Sequence, residues 1–227
     1  MTQATGRSWR PAMFFGVAAA VALAIAAPAW GTPLGRDGKP FRSLVELRGE
    51  QVVRQNWDLS CGAAAVATLI TYQLSHPIGE REVATAMLHR TSPHLVRARL
   101  GFSLLDLKVY AATQGLGAAG FGQMTLADLD AMAPAIVPIR RHGFRHYVVY
   151  RGRRGDRVLL ADPAFGNRTL SVDNFEAAWA NAIAFVVFDP AEPHPPNRMG
   201  APAELFAVPG HQAERAAITD MRTGGGP

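Results

Sequence analysis

The chain has 227 residues, 48% of them apolar and 18% charged, with a formal net charge of +5. That profile supplies a packed core for one domain with tails and excludes a disordered chain. The basic residues are scattered, apart from Arg140–Arg141 and the cluster Arg151, Arg153 and Arg154, and no aromatics interleave with them, so no nucleic-acid partner is expected.

Residues 1–29 carry Arg7 and Arg10, then the uncharged stretch "PAMFFGVAAAVALAIAAPAW" with Ala27-Pro28-Ala29 near its end. Positive, apolar and small-x-small segments in that order describe a secretory signal. Alanine dominates the apolar run and is a weak membrane former, which favours cleavage after Ala29. Left uncleaved, residues 11–29 would tie the protein to a membrane. Either way the globular part is expected to be exported. Residues 30–50 are rich in Gly, Pro and charge and read as an extended lead-in to a folded domain over 51–189.

Within that domain, "CGAAAVATLITYQL" (61–74) is apolar nearly all round and predicts a central buried helix. Helices are also expected over 79–90, 102–115 and 125–132, the last two opened by Ser103 and Thr125 as N-caps. The pattern then changes to short β-branched and aromatic runs over 134–141, 144–152, 156–163 and 182–189, bounded by Gly, Pro and Asp. A further helix is expected over 171–182. Helices first and antiparallel strands after is an α+β organisation. Residues 190–227, rich in Pro and Gly, read as a mobile tail.

One cysteine, Cys61, opens the central helix. It has no intrachain disulfide partner, so a thiol in an exported chain must be buried, paired between chains, or used. At the first turn of a helix, unpaired N–H groups and the dipole stabilise a thiolate. Gly62 beside it allows another backbone to approach.

A base is needed to complete such a site. Five of the seven histidines, His76, His89, His94, His194 and His211, fall at helix ends, in loops or in the tail. His146 instead opens the apolar strand "HYVVY", and a hairpin turn centred near Arg154 would set Asp162 directly across from it. His142 is the alternative base, with only Gly166 opposite. An acid that orients a histidine beside a helix-mouth cysteine is a nucleophile–base–orienter set. A metal held by Cys61, His146 and Asp162 would need a further ligand at a definite spacing, and none is evident. Neither metal nor cofactor is expected. Gln55, on the loop feeding the helix, could join the Cys61 N–H in stabilising an oxyanion.

"QNWDLSCGAAAVATL", "HYVVY" and "ADPAFGNR", in that order, resemble the bacteriocin-processing or double-glycine leader cysteine peptidases, over about residues 50–188. The resemblance implies a papain-like fold, with Cys61 as nucleophile, His146 as general base and acid, Asp162 as its orienter and Gln55 as oxyanion donor. It implies a peptide or protein substrate, an exported protein or its secretion machinery, cleaved after Gly-Gly, and the bacterial periplasm as compartment. Exporter-fused members usually have Asp before the cysteine, where this chain has Ser60. They also carry a transporter domain and ATPase, and neither is expected here. It is more similar to free-standing exported members, some of which accompany amyloid secretion systems. A non-catalytic accessory holding a Gly-rich segment is the alternative from another class. Transglutaminase-like acyl transfer is an alternative chemistry for the same residues.

Overall fold

The computed structural model describes residues 42–141 and 144–207. The expected signal, the start of the lead-in, His142, and the end of the tail with His211 lie outside the described residues.

Seven α-helices and six strands follow in chain order among these residues: α1 (Leu44–Gly49), α2 (Cys61–Thr68), α3 (Glu80–Leu88), α4 (Pro93–Arg99), α5 (Leu104–Thr113), β1 (Gly117–Phe121), α6 (Leu126–Met132), β2 (Ala135–Arg141), β3 (Phe144–Arg154), β4 (Arg157–Asp162), β5 (Gly166–Ser171), α7 (Val172–Ala178) and β6 (Ala184–Phe188). All eight residues of α2 are buried, and a π-helical turn, Leu69–Gln73, continues it. Its alanines let it lie close to the sheet without a wide side-chain layer.

The strands form one antiparallel sheet in the order β1-β6-β2-β3-β4-β5. Alternation divides its two faces. Ile136, Tyr147, Val149, Ala161 and Phe185 pack with α2, α3 and α5, while Val137, Val148, Tyr150, Val158 and Leu160 pack with Leu129 of α6 and Phe175 of α7. The fold is α+β, with the N-terminal helices against a C-terminal antiparallel sheet.

Four features differ from the sequence expectations. Part of the lead-in expected to be extended is α1, nucleated by a capping box between Ser43 and Glu46. α4, β1 and β5 also occur where no regular element is expected. Residues 196–200, expected to belong to a mobile tail, are bonded into the domain: Gln73 Nε2 donates to the Pro196 carbonyl at 2.8 Å, the Arg198 N–H donates to Gln73 Oε1 at 2.9 Å, and Met199 is fully buried. Gly62 meets side chains, not a second backbone. A Cβ there would sit 3.1 Å from Leu107 Cδ1 and 3.4 Å from Tyr147 Cδ2.

The hairpin register differs too, and the difference positions the site. From the turn inward, Arg154 faces Arg157, Arg153 faces Val158 and Gly152 faces Leu159; then Arg151 bulges out and Tyr150 faces Leu160. Without that extra residue the ladder would bring Asp162 level with Val149 and put its side chain on the opposite face from His146. With it, Asp162 is level with Val148 and shares the His146 face as a diagonal neighbour rather than directly opposite.

Candidate active site

Cys61 is the first residue of α2 and is buried. Ser43, Ser103, Thr125 and Ser171 each cap the helix that follows by accepting a first-turn N–H. Ser60 precedes α2 in the same way and makes no such bond. Its hydroxyl lies instead 2.5 Å from Glu80 Oε1 and 2.7 Å from the Trp57 carbonyl. The first-turn N–H groups beside the Cys61 sulfur are therefore left without a side-chain cap, which is where negative charge is best stabilised.

Glu80, the first residue of α3, is 3% exposed and also accepts the Asn56 N–H and Asn56 Nδ2, each at 3.3 Å. A carboxyl group thus stands beside position 60, delivered from a second helix. Glu80→Ala would leave the Asn56 N–H and amide without this acceptor and the Ser60 hydroxyl with the Trp57 carbonyl alone, and is expected to cost about 1–2 kcal/mol, read from the urea midpoint at constant slope. Glu80→Gln, which keeps one acceptor oxygen, is expected to lose less.

β3 runs past the mouth of α2, with Tyr147 against Gly62 and His146 next to Cys61. His146 Nε2 bonds Asp162 Oδ1 at 2.7 Å, and the thiol is within hydrogen-bonding reach of the ring. With Nε2 engaged, Nδ1 is the nitrogen left for proton exchange with sulfur. Burial on its own would lower the His146 pKa. Burial is the largest single influence, but the hydrogen bonds and charges of Asp162 and Cys61 together outweigh it, and the value is pushed up to about 9.

Asp162 is fully buried. Besides His146, Oδ1 accepts the Ala164 N–H at 2.9 Å, and Oδ2 accepts Arg168 Nε at 2.7 Å. Burial would raise its pKa, but the hydrogen bond and charge of His146, then the Arg168 charge and the Ala164 N–H, hold it below the usual range. Arg168 and Glu80 are the site-supporting residues that sequence reasoning missed. Arg168 lies within "ADPAFGNR", on a segment not read as a strand. Its signal is parity: Arg168 pairs with Leu160, so its side chain shares the Asp162 face.

Gln55 sits on the loop before α2. Its N–H donates to the Pro163 carbonyl at 2.9 Å, which ties this loop to the residue after Asp162. Its side-chain Nε2 donates to the Trp57 carbonyl at 3.0 Å, leaving the second amide hydrogen for another acceptor. The structure thus brings Cys61, His146 and Asp162 together, and fastens the Gln55 loop to the Asp162 loop. His76, His89, His94 and His194 take no part in this group. Among the described residues no cluster of three or more His, Cys, Asp or Glu could hold a metal ion.

A buried thiol at an uncapped helix mouth, facing a carboxylate-held imidazole across an α+β interface, defines a papain-like cysteine peptidase. Residues 49–191 match the model of the peptidase C39 family, and the chain belongs to that family. The probable functional amyloid protease FapD of Pseudomonas aeruginosa is 37% identical over 150 residues, covering 66% of this chain but only 65% of that protein's length. The FapD of Pseudomonas fluorescens is 35% identical over 175 residues, 73% of this chain and 76% of the relative. A double-glycine-motif protease from an AMS/PCAT transporter, solved in complex with the leader peptide, shares the fold: TM-score 0.51, 24% identity, 62% of this chain and 94% of that one.

Proposed function

We propose that this protein is exported and hydrolyses a peptide bond in a protein exported with it, using Cys61, His146 and Asp162. The observation that carries the reading is the 2.7 Å His146–Asp162 bond on a ring that also interacts with the Cys61 thiol. His146 takes the thiol proton at Nδ1, and the thiolate attacks the scissile carbonyl carbon. The developing oxyanion is stabilised by the Cys61 N–H and a Gln55 amide hydrogen. Collapse breaks the C–N bond as His146 returns its proton to the leaving amine, leaving a thioester on Cys61. His146 then deprotonates a water that attacks the thioester, and the thiol is regenerated.

Cleavage after Gly-Gly is the preference of the resembled family and belongs to this proposal, as does an amyloid-system substrate like the one implied by the relatives' name. Export rests on the signal pattern in residues 1–29. Among the described residues, no helix is long and apolar enough to cross a membrane.

The test is alkylation of Cys61 by iodoacetamide across pH, together with mass mapping of products from a Gly-Gly-containing peptide. Wild type is expected to react rapidly near neutral pH, His146→Ala at least about tenfold more slowly, and Cys61→Ala to give no cleavage. Reactivity indifferent to His146 would refute the pairing, and product carrying an added amine in place of water would indicate acyl transfer.

A further inference from the structure

Cys61 opens into a cleft of about 580 Å³ whose walls include Arg99, Arg140 and Arg145 and, among the described residues, no Asp or Glu. The three guanidinium groups come from separate elements: the last turn of α4, then β2, then β3. Arg140 and Arg145 are direct cross-strand partners in the β2–β3 ladder. Like charges in that position repel, since directly opposed side chains start only about 5 Å apart at Cβ. Folding on its own would select against such a pair.

Nothing among the described residues neutralises it. Arg140 Nη2 donates to the Asn181 side-chain oxygen at 3.4 Å, and Arg145 reaches the Tyr147 hydroxyl; both partners are uncharged. Arg99 lies 3.9 Å from Asp106, at the outer limit of an ion pair, and is 51% exposed. That carboxylate is already occupied: Asp106 accepts the Ser103 N–H and hydroxyl at 2.7 Å each and the Thr91 hydroxyl at 2.8 Å. The cleft next to the nucleophile therefore carries uncompensated positive charge at Arg140 and Arg145, with Arg99 only loosely paired, in a recess whose low-dielectric walls focus the field.

We infer that this cleft selects substrate segments bearing Asp or Glu within a few residues of the scissile bond, with Arg140 and Arg145 as the main anion-binding residues and Arg99 completing the wall. An inserted carboxylate would separate the two repelling guanidinium groups and accept hydrogen bonds from both. The inference rests on the peptidase reading for the identity of the ligand, and on the charge arrangement alone for its acidity.

Two peptides test it, each containing Gly-Gly: one with Glu on both sides of the glycines, the other with Gln at the same positions. For the wild-type protein, kcat/KM is expected to favour the Glu peptide by roughly tenfold at low ionic strength, and the ratio to shrink as salt rises. In Arg140→Gln/Arg145→Gln the ratio is expected to fall towards one. Binding of the same labelled peptides to full-length Cys61→Ala protein, read by fluorescence anisotropy, gives the preference without turnover. Equal binding of the two peptides, or a preference untouched by the double substitution, would overturn the acidic subsite. Hydrolysis of neither peptide alongside selective binding would instead count against the peptidase reading.

Discussion

Asp162→Asn is expected to lower kcat/KM by roughly a hundredfold or more and to move the alkaline limb of the pH–rate profile well below 9. The asparagine keeps an oxygen for the His146 ring and the Ala164 N–H but removes the charge. In the wild type that charge and its hydrogen bond oppose burial and hold the His146 pKa at about 9. Removed, burial acts with less opposition and the imidazolium loses its proton at lower pH. In the proposed mechanism protonated His146 delivers a proton to the leaving amine, so activity should fall as pH rises through about 9 in the wild type, and earlier in the variant. A variant profile with its limb still near 9 would show that Asp162 does not govern the base.

The same substitution is expected to destabilise the fold. Arg168, with a side chain 11% exposed, would lose its carboxylate and remain partly buried without a counter-charge. pH dependence follows from the two shifts. The His146 contribution is complete below the usual 6.5 and disappears as pH rises through about 9, because its folded value is raised. The Asp162 contribution is present above the usual 3.8 and disappears on acidification through its lowered value. Wild-type stability from this pair is therefore greatest between about 4 and 6.5, and an Asp162→Asn protein should show a flatter urea-midpoint profile on both sides.

Several parts of this arrangement are readable from local sequence, and others depend on contacts no local window contains. α2 announces itself because its apolar run has no polar face, and Cys61 stands out as a single thiol at its start. β3 and β4 are legible because alternation and β-branched residues coincide. β1, "GAAGF", has almost no β-propensity; it is a strand because β6 offers a partner edge. β5 begins at Gly166, whose φ of +81 and close approach to the Arg48 carbonyl suit only glycine, so the strand begins where a sequence reader places a turn. Glu80 at the start of a helix reads as a charge placed to suit the dipole. Its bond to Ser60 is visible only when α3 is packed beside α2.

A register counted from turn chemistry places Asp162 opposite His146, which is the right face by the wrong ladder. A hairpin counted from the observed Arg154–Arg157 pair has the wrong parity, and the bulge at Arg151 corrects it. The one local sign of the bulge is Gly152, an isolated glycine inside the strand with φ of +139. The bulged residue is held by the segment around residue 199, which a compositional reading assigns to a mobile tail.

Arg151→Met is accordingly expected to be the most destabilising of these changes, at about 3–5 kcal/mol, and to reduce kcat at temperatures where the variant remains folded. The side chain is 1% exposed. Its Nε donates to the Met199 carbonyl at 2.7 Å, Nη1 to the Glu50 carbonyl at 3.0 Å and to Asn167 Oδ1 at 2.9 Å, and Nη2 to the Gly200 carbonyl at 3.2 Å and to Gln51 Oε1. Asn197 Nδ2 in turn donates to the Arg151 carbonyl at 3.0 Å, satisfying an oxygen that the bulge takes out of the ladder. A buried charge can often be exchanged for an apolar group at little cost when both partners go together. Here methionine would fill the volume but leave up to four acceptors without a donor, the Glu50 carbonyl keeping Asn167 Nδ2. The ladder could then recover regular pairing only by giving up the bulge, which would turn Asp162 away from His146. Asn197→Ala, which removes one bond at the same bulge, is expected to cost only about 1 kcal/mol and to lower kcat less. The falls in kcat distinguish this account from a purely structural role: if Arg151→Met loses stability while its folded fraction retains wild-type turnover and the alkaline limb near 9, the bulge is not what aligns the histidine with its carboxylate.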